Sequence, residues 1–373
     1  MKVVLVASYD KSLINFRGAL LTAIVQAGHE AIACAPGSDP AVTEPLQKLG
    51  VRYEPISLDR TGINPLSDFR TLLQLTLLLQ RLHPDITLGY TIKPVIFGSL
   101  AAWLARVPNC FSLITGLGFA FVDAPEATLK NRILNRLIRR LYRVALSANR
   151  VVFFQNPDDR KLFAQLGLVK STQAAVVNGS GIDLDHFYQA PIQADHTVFL
   201  LIARLLKDKG IREYIEAARI IKQYYPESVF LLVGPIDSNP AAIPAEEVAT
   251  WNNSDCIEYL GEVSDVRAVI ARSTVYVLPS YREGTPRTVL EAMAMGRPII
   301  TTDVPGCRET VIEGYNGFLV SPRDPQALAE TMERFITHPE LVTQMGNNSR
   351  KLAETKFDVH SVNKQMMEIM GLL

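Results

Sequence analysis

Short apolar runs alternate with stretches of helical periodicity through the first half of the chain. Residues 3–7 form a continuous apolar run, which is typical of a strand buried on both faces of a parallel sheet. A loop over 8–17, a helix over 18–27 and a second strand over 30–35 follow. This β-α-β order predicts a Rossmann-like sheet. Further strands are predicted over 52–57, 85–90, 110–114 and 150–154.

The second half repeats the same alternation. Strands are predicted over 197–203, 228–234, 256–261, 274–278 and 298–302, and a helix begins at Ile211. A chain of 373 residues favours two domains over one. We therefore predict an α/β protein with a first Rossmann-like domain over 1–185, a linker over 186–196, a second such domain over 197–356 and a C-terminal helix over 357–373.

The stretch from Pro279 to Pro298 carries the most specific chemistry in the sequence. It predicts a loop that runs into a helix, with Thr285 as N-cap and Pro286 at the first helical position. Backbone N–H groups at such a helix start favour a phosphate. Glu283 in the loop and Glu291 in the helix are acceptors suited to sugar hydroxyls. A ligand with a central diphosphate and hydroxylated rings at both ends, such as a nucleotide sugar, fits this pattern.

The same stretch, with Glu-x7-Glu followed by Glu-Ala-Met-Ala-x-Gly-x-Pro, resembles the large family of retaining glycosyltransferases numbered four. The resemblance implies the GT-B fold, in which two Rossmann-like doubly wound domains face each other across a cleft. For an isolated Glu-x7-Glu, two solvated glutamates would be the alternative interpretation. Arg-Leu-x-x-x-Lys-Gly at Arg204–Gly210 also matches the family, and an arginine fork with a mobile lysine suits a diphosphate.

The resemblance assigns roles to the residues that match its motifs. It implies that Glu283, Arg204 and Lys209 act in catalysis, that Glu291 binds the ribose, and that the backbone near Val263 contacts the base. The predicted donor-binding residues are Arg204, Lys209, Val263, Glu283, Gly284, Thr285, Arg287 and Glu291.

Three loops at the carboxyl ends of the first-half strands are candidates for the acceptor side. Arg17 and Lys93 are candidates to hold an acceptor phosphate, and solvated loop cations are the alternative. The pair Gly116 and Gly118 favours a close approach of backbone to ligand. The predicted acceptor-side residues are Asn15, Arg17, Gly18, Lys93, Thr115 and Gly116. Many family members carry a histidine at the end of the strand 110–114, and this chain does not, so no acid–base histidine is predicted.

Charge is divided unevenly between the halves. Residues 1–180 hold 20 Lys/Arg and 12 Asp/Glu, a balance of +8, and the totals of 38 each leave −8 for the remainder. Much of the positive charge lies in a predicted amphipathic helix over 126–150, which favours contact with an anionic membrane surface. A Leu-rich helix over 66–82 fits core packing, with lipid contact as the alternative. No nucleic-acid-binding motif is present, and the four cysteines predict reduced thiols in a cytosolic protein.

Further segments resemble bacterial enzymes that extend undecaprenyl-diphosphate sugars, among them α-1,3-N-acetylgalactosaminyltransferases. They include Ser-Leu-Ile-Asn-Phe-Arg-Gly at 12–18 and Thr-Ile-Lys-Pro-Val-Ile-Phe-Gly at 91–98. The resemblance implies a retaining hexosyltransferase that moves a sugar, with GalNAc favoured, from a UDP-sugar to a polyprenyl-diphosphate-linked saccharide. It also implies a cytoplasmic enzyme that is peripheral on the inner face of the cytoplasmic membrane.

No metal and no cofactor beyond the UDP-sugar substrate is predicted. The Asp-x-Asp at Asp183–Asp185 is the manganese motif of another glycosyltransferase fold, but it lies mid-chain beside the predicted linker. Two alternatives remain open. A nucleotide-sugar 2-epimerase of the same fold would need acid–base residues in the cleft and no basic lipid-facing helix. A non-catalytic, nucleotide-sugar-binding subunit would not need the whole set of Arg204, Lys209, Glu283 and Glu291.

Overall fold

The computed structural model describes residues 1–59, 64–117, 121, 129–192, 196–237, 239, 241–252 and 256–373. It divides the chain into two compact units, Met1–Ser180 with His360–Leu373, and Gly181–Val359. The boundary falls earlier than the predicted domain end at residue 185. In the predicted linker 186–196, Ala190 and Pro191 are held by the second unit, because their carbonyls accept hydrogen bonds from the buried Arg297. Residues 193–195 lie outside the described residues.

The first unit is built on a sheet of seven parallel strands in the order β3-β2-β1-β4-β5-β6-β7. The strands are β1 Lys2–Val6, β2 Glu30–Ala35, β3 Arg52–Pro55, β4 Ile86–Tyr90, β5 Asn109–Ile114, β6 Val151–Phe154 and β7 Ala174–Val176. The six strands predicted for this half are present. Strand β7 was not predicted, because it is only three residues long.

In the described residues before 180, seven α-helices cover the two faces of this sheet. They are α1 Lys11–Asn15, α2 Gly18–Gln26, α3 Pro40–Lys48, α4 Pro65–Leu82, α5 Ser99–Leu104, α6 Leu129–Ser147 and α7 Pro157–Gln165. The predicted loop over 8–17 is wrong in part, since it contains α1. The Asp10 carboxylate accepts from the Lys11 backbone N–H at 2.7 Å and starts this helix, which is too short to show a helical period. A π-helical turn, Pro94–Gly98, leads into α5.

The second unit contains six parallel strands in the order β10-β9-β8-β11-β12-β13. They are β8 Val198–Ile202, β9 Val229–Val233, β10 Glu258–Tyr259, β11 Val275–Leu278, β12 Ile299–Thr302 and β13 Gly317–Val320. Its helices are α8 Ile211–Tyr224, α9 Ala245–Asn252, α10 Arg267–Arg272, α11 Arg287–Ala294, α12 Pro325–Thr337 and α13 Glu340–Lys356. Strand β13 was not predicted, because it begins on a glycine and is only four residues long.

The last helix, α14 Val359–Met370, lies within the predicted C-terminal segment 357–373. From His360 onward the chain belongs to the first unit. Its apolar residues join the buried cluster that contains Leu5 of β1 and Ile24 of α2; they are Val362, Met366, Met367 and Met370. The chain therefore returns to its first sheet after completing the second. Among the described residues, no helix has both the length and the apolarity needed to cross a bilayer.

Candidate functional site

Both sheets reverse their strand order next to their first strand. In the second unit the reversal lies between β8 and β11, because β9 is on one side of β8 and β11 on the other. Ligands of open α/β sheets bind outside the carboxyl ends of the strands at such a point. The loops that leave these ends are 203–210 after β8 and 279–286 after β11. They carry Arg204, Lys209 and Glu283, so the fold brings the predicted donor residues to one place.

An ion pair joins the two loops. The Lys209 Nζ lies 2.6 Å from Glu283 Oε1, and the two side chains are 15% and 17% exposed. Burial opposes the ammonium charge, but the carboxylates of Glu283 and Asp208 outweigh it and raise the pKa of Lys209. Ser280 donates a further hydrogen bond to Glu283 at 2.9 Å. The carboxylate is therefore held in one orientation by partners from both loops.

Glu291 lies inside α11, as predicted, and is 8% exposed. Its Oε1 accepts from Arg287 Nε at 3.1 Å, one helical turn earlier. Burial raises the pKa of Glu291, and Arg287 opposes that shift. The predicted helix start is wrong by one position. Pro286 has an extended backbone and is itself the N-cap, without a side-chain cap, so Thr285 is not the capping residue.

Arg204 is more exposed to solvent than Lys209, the other predicted phosphate-binding cation. Its side chain is 49% exposed, and its Nη1 lies 3.1 Å from Asp237 Oδ2. Asp237 follows strand β9, the neighbour of β8 in the sheet. Sequence reasoning missed Asp237, because nothing in the local sequence indicates which cation it faces. The predicted base-reading loop lies beside these strands, where Gly234 N–H donates to the Gly261 carbonyl at 2.8 Å and Val263 packs on the buried cluster beneath.

Gly306 packs against the backbone of the loop that carries Glu283. The Glu283 backbone N–H donates to the Pro305 carbonyl at 3.0 Å, and a Cβ on Gly306 would lie 2.2 Å from the Glu283 carbonyl oxygen. Such a distance forces one of the two backbones to move. The loop over 303–310 therefore holds the Glu283 backbone in position, and Gly306 is the positioning residue within it. The family resemblance implies that this loop borders the donor site.

We expect Gly306→Ala to displace Glu283 and lower donor affinity and turnover by about tenfold or more, since small misplacements of a catalytic group cost up to roughly 10²-fold. Gly314→Ala is a matched control: Gly314 also has a positive φ, +71° against +86°, but nothing lies within 4 Å of its added Cβ. Both variants carry the same kind of backbone strain. Isothermal titration with UDP and initial rates would measure the difference, and equal losses in the two variants would show that the contact with Glu283 is unimportant.

The first sheet also reverses its order, between β1 and β4, and the predicted acceptor-side residues of loops 7–17 and 91–93 lie at this point. Arg17 is not an open loop cation: it is 2% exposed and stacks 5.1 Å from the centre of the Tyr90 ring. Lys93 Nζ lies 2.7 Å from Asp68 Oδ1, with both side chains 13% exposed. Burial and pairing therefore hold both cations in place.

The other acceptor-side candidates differ in exposure. Asn15 is exposed at the end of α1, whereas Gly18 is buried at the start of α2. Thr115 and Gly116 follow β5, and Gly116 has φ +148°. Gly118 of the predicted glycine pair lies outside the described residues. Near them, Thr91 has φ +68° and shares a 2.8 Å hydrogen bond with Ser8, which places a strained threonine at the carboxyl end of β4.

The Asp-x-Asp motif has a local structural role, and the predicted basic stretch contains a helix. In the Asp-x-Asp motif, Asp183 Oδ1 accepts from the backbone N–H groups of Asp185 at 3.0 Å and His186 at 2.9 Å. The Asp183 carboxylate thus closes a local turn by accepting from the backbone of the residues that follow it. The basic stretch predicted over 126–150 contains α6 Leu129–Ser147; Glu126 lies outside the described residues, and side chains are described from Ile133 onward.

Two family models together match most of the chain. Residues 16–179 match the "Glycosyl transferase 4-like domain", and residues 185–352 match "Glycosyl transferases group 1". The two matches divide near the boundary that separates the two structural units. Each model therefore corresponds to one Rossmann-like unit and one reversal of strand order.

Characterised relatives match over both units. The chain is 26% identical to an N,N'-diacetylbacillosaminyl-diphospho-undecaprenol alpha-1,3-N-acetylgalactosaminyltransferase of Campylobacter jejuni, with 99% of this chain and 98% of the relative covered. It is 26% identical to a UDP-Gal:alpha-D-GlcNAc-diphosphoundecaprenol alpha-1,3-galactosyltransferase of Escherichia coli, with 80% and 78% covered.

A solved structure with the same fold is HepE of Anabaena in complex with UDP and glucose, at a TM-score of 0.76, 20% identity and full coverage of both chains. Both units thus have the doubly wound architecture of GT-B proteins, as predicted. The family models, the fold and the strand-end residues agree, and the chain belongs to the GT-B glycosyltransferases that combine a glycosyl transferase 4-like domain with a group 1 domain.

Proposed function

We propose that this protein transfers a sugar from a UDP-sugar to a polyprenyl-diphosphate-linked saccharide during polysaccharide assembly, with retention of the anomeric configuration. The observation that carries the proposal is the Lys209–Glu283 pair at the order reversal of the second sheet. A cation suited to phosphate and a carboxylate suited to sugar hydroxyls stand side by side there. Such a pair suits the junction between a donor's β-phosphate and its sugar.

The donor's two ends have further candidate partners in the second unit. Arg204 adds a guanidinium fork for the diphosphate, and the N-terminus of α11 adds partial positive charge. Glu291 is placed one turn into that helix, where its carboxylate suits the ribose hydroxyls. Gly284, Thr285 and Arg287 line the same helix start, and Val263 lies on the loop proposed to contact the base. The HepE structure contains UDP, which supports a nucleotide site in this fold.

In the proposed reaction, an acceptor hydroxyl attacks the anomeric carbon from the face that the diphosphate leaves. The bond between that carbon and the β-phosphate oxygen breaks, and the departing phosphate oxygen takes the hydroxyl proton. The products are UDP and the extended lipid-linked saccharide. Arg204, Lys209 and the α11 N-terminus stabilise the charge that grows on the phosphate, which is the main source of rate acceleration. No metal ion is needed, since these groups supply the positive charge.

The relatives support the proposed acceptor, and the charge of α6 supports the proposed location. Both named relatives act on undecaprenyl-diphosphate-linked sugars, which supports a polyprenyl-linked acceptor. The Campylobacter relative transfers N-acetylgalactosamine, and we propose that sugar as the favoured donor group. Asn15, Arg17, Gly18, Lys93, Thr115 and Gly116 form the proposed acceptor side. The arginines of α6 support peripheral binding to the anionic inner face of the cytoplasmic membrane.

A panel of UDP- and GDP-sugars tests the proposal, with a detergent-solubilised polyprenyl-diphosphate-GlcNAc acceptor and EDTA present. We expect transfer from one UDP-sugar, and an α-linked product by NMR. A product with inverted configuration would refute retention, and transfer that requires added Mn²⁺ would refute metal independence. UDP release without transfer would overturn the acceptor, and the absence of any turnover would favour a non-catalytic binding subunit.

A further inference from the structure

Helix α4 is apolar on two opposite sides. Leu75, Leu79 and Leu82 are buried against the sheet, as expected for a helix that covers a core. The opposite side is not polar, although a helix on a protein surface normally presents polar residues there. It carries Leu66, Phe69, Leu73 and Leu77, which are 84%, 65%, 51% and 57% exposed. These four residues are named the α4 stripe.

The α4 stripe continues onto two neighbouring helices. Cys110 and Ile114 lie on the same side of β5, because alternate residues of a strand share a face. Cys110 belongs to the cluster beneath α4 and α5, and Ile114 to the cluster beneath α6. The three helices therefore cover one face of the first sheet, and their outer sides share one surface. The large exposed apolar residues that α5 and α6 add are Trp103, Leu104, Ile133, Leu137 and Val144.

Positive charge accompanies this apolar surface. Arg70 of α4 and Arg136 and Arg140 of α6 are exposed among its apolar residues. In the described parts of α4, α5 and α6 the only carboxylate is Asp68, which is 13% exposed and paired with Lys93. An apolar surface rimmed by cations complements an anionic bilayer, in which acyl chains lie beneath phosphates. Two copies of the same surface would instead bring like charges together.

We propose that the α4 stripe inserts into the acyl boundary of an anionic bilayer while the α6 arginines bind lipid phosphates. This inference adds to the proposed function the element that holds the enzyme at the membrane. It rests on the proposed function only in assuming that the acceptor is lipid-linked. The stripe from Leu66 to Leu77 runs for about 17 Å along the helix, so α4 lies parallel to the membrane surface and does not cross it. In this arrangement α4 inserts into the bilayer, and the basic helix α6 attracts the same surface to the lipid phosphates.

Sedimentation of the full chain with vesicles tests the inference. The vesicles are pure phosphatidylcholine or contain about one third phosphatidylglycerol, each at low and high salt. Leu73→Gln combined with Leu77→Gln should lower the partition coefficient about tenfold or more on both compositions, because apolar insertion is lost. Arg136→Gln combined with Arg140→Gln should lower binding only to anionic vesicles, and high salt should abolish that difference.

The matched control combines Tyr224→Gln with Ile312→Gln, which removes two apolar side chains that are 75% and 52% exposed in the second unit. It should bind vesicles as the parent does. Vesicle binding unchanged by the Leu73/Leu77 substitutions would overturn the inference, and so would a dimer in solution that those substitutions dissociate. Turnover of a water-soluble short-chain acceptor distinguishes the proposed membrane insertion from the proposed function. Loss of vesicle binding with retained turnover supports insertion by α4, whereas vesicle binding by an enzyme that never uses this acceptor would count against the proposed function alone.

Discussion

Replacing Glu283 with glutamine is expected to lower kcat by about a hundredfold or more. A preorganised group that acts on the transition state contributes roughly 10²–10³ in kcat when it is removed. Glutamine keeps the size of the side chain but removes the charge that faces Lys209 at 2.6 Å and that would accept hydroxyl hydrogens from the donor sugar. Initial rates with saturating UDP-sugar and acceptor measure the effect.

The same substitution should also lower stability, because it leaves a nearly buried ammonium with only the more distant carboxylate of the exposed Asp208, 3.9 Å away. The folded-state pKa of Lys209 is raised, so the stabilisation by the pair is complete below the ordinary lysine pKa and is lost only as the pH rises through the raised value. At pH 7 the full difference is present. We expect about 2–3 kcal/mol in the free energy of unfolding.

A double variant separates the two effects of Glu283. Lys209→Met with Glu283→Gln should regain part of the stability and none of the turnover, since no charge is then buried alone. Glu216→Gln is the control, because the Glu216–Arg219 pair spans 3.0 Å but is half exposed and contributes little. Unchanged kcat in Glu283→Gln would contradict the proposed role of this carboxylate.

Arg297→Met is expected to cause the largest loss of stability. Arg297 is fully buried, and its guanidinium donates to five backbone carbonyls at 2.9–3.3 Å. Burial lowers its pKa to about 10, so the group remains charged at neutral pH. The five acceptors are the carbonyls of Ala190, Pro191, Ile270, Ala271 and Met295. They belong to the segment before β8, the end of α10 and the end of α11, which the guanidinium holds together.

Methionine fills much of the same space but cannot donate to any of these carbonyls. The Ile270 and Met295 carbonyls keep a second donor, from Ser273 and from the Ala190 N–H. The other three carbonyls lose the guanidinium, and at about 1–1.5 kcal/mol for each of them the free energy of unfolding should fall by roughly 3–5 kcal/mol. The melting temperature of the second unit should fall by about 10 °C. Arg272→Met is the control: Arg272 is 56% exposed and 3.5 Å from Glu258, so its loss should cost under about 1 kcal/mol. A melting curve for Arg297→Met that overlays the control would refute this role.

Apolar runs were sufficient to predict most strands of both sheets. Strands buried on both faces, such as β1 and β8, are continuous apolar segments that no other element of that length resembles. The strands that were missed, β7 and β13, are three and four residues long, and helix α1, in a segment predicted as loop, has five residues. Elements of that length are specified by a cap or by pairing with a neighbouring strand, and neither is visible in local periodicity.

The candidate donor-binding residues could also be predicted from local sequence. Arg204, Lys209, Glu283 and Glu291 stand in two continuous motifs, each directly after a strand, and parallel strands bring their carboxyl ends to one edge. Their partners could not be found in the same way. Asp237 lies in a loop that follows another strand, and only the packing of the sheet brings it to Arg204.

The sequence by itself determined the fold class, the family and the strand ends where charged residues gather, because these depend on local periodicity and on contiguous motifs. The tertiary structure alone decided which of these residues are buried and with which partners they pair. It buried Arg17 beside Tyr90, paired Lys93 with Asp68, and used Arg297 to hold three segments together. It also decided which apolar side of α4 meets the core. A helix with two apolar sides has no periodicity that distinguishes them, and only long-range packing leaves one of them exposed.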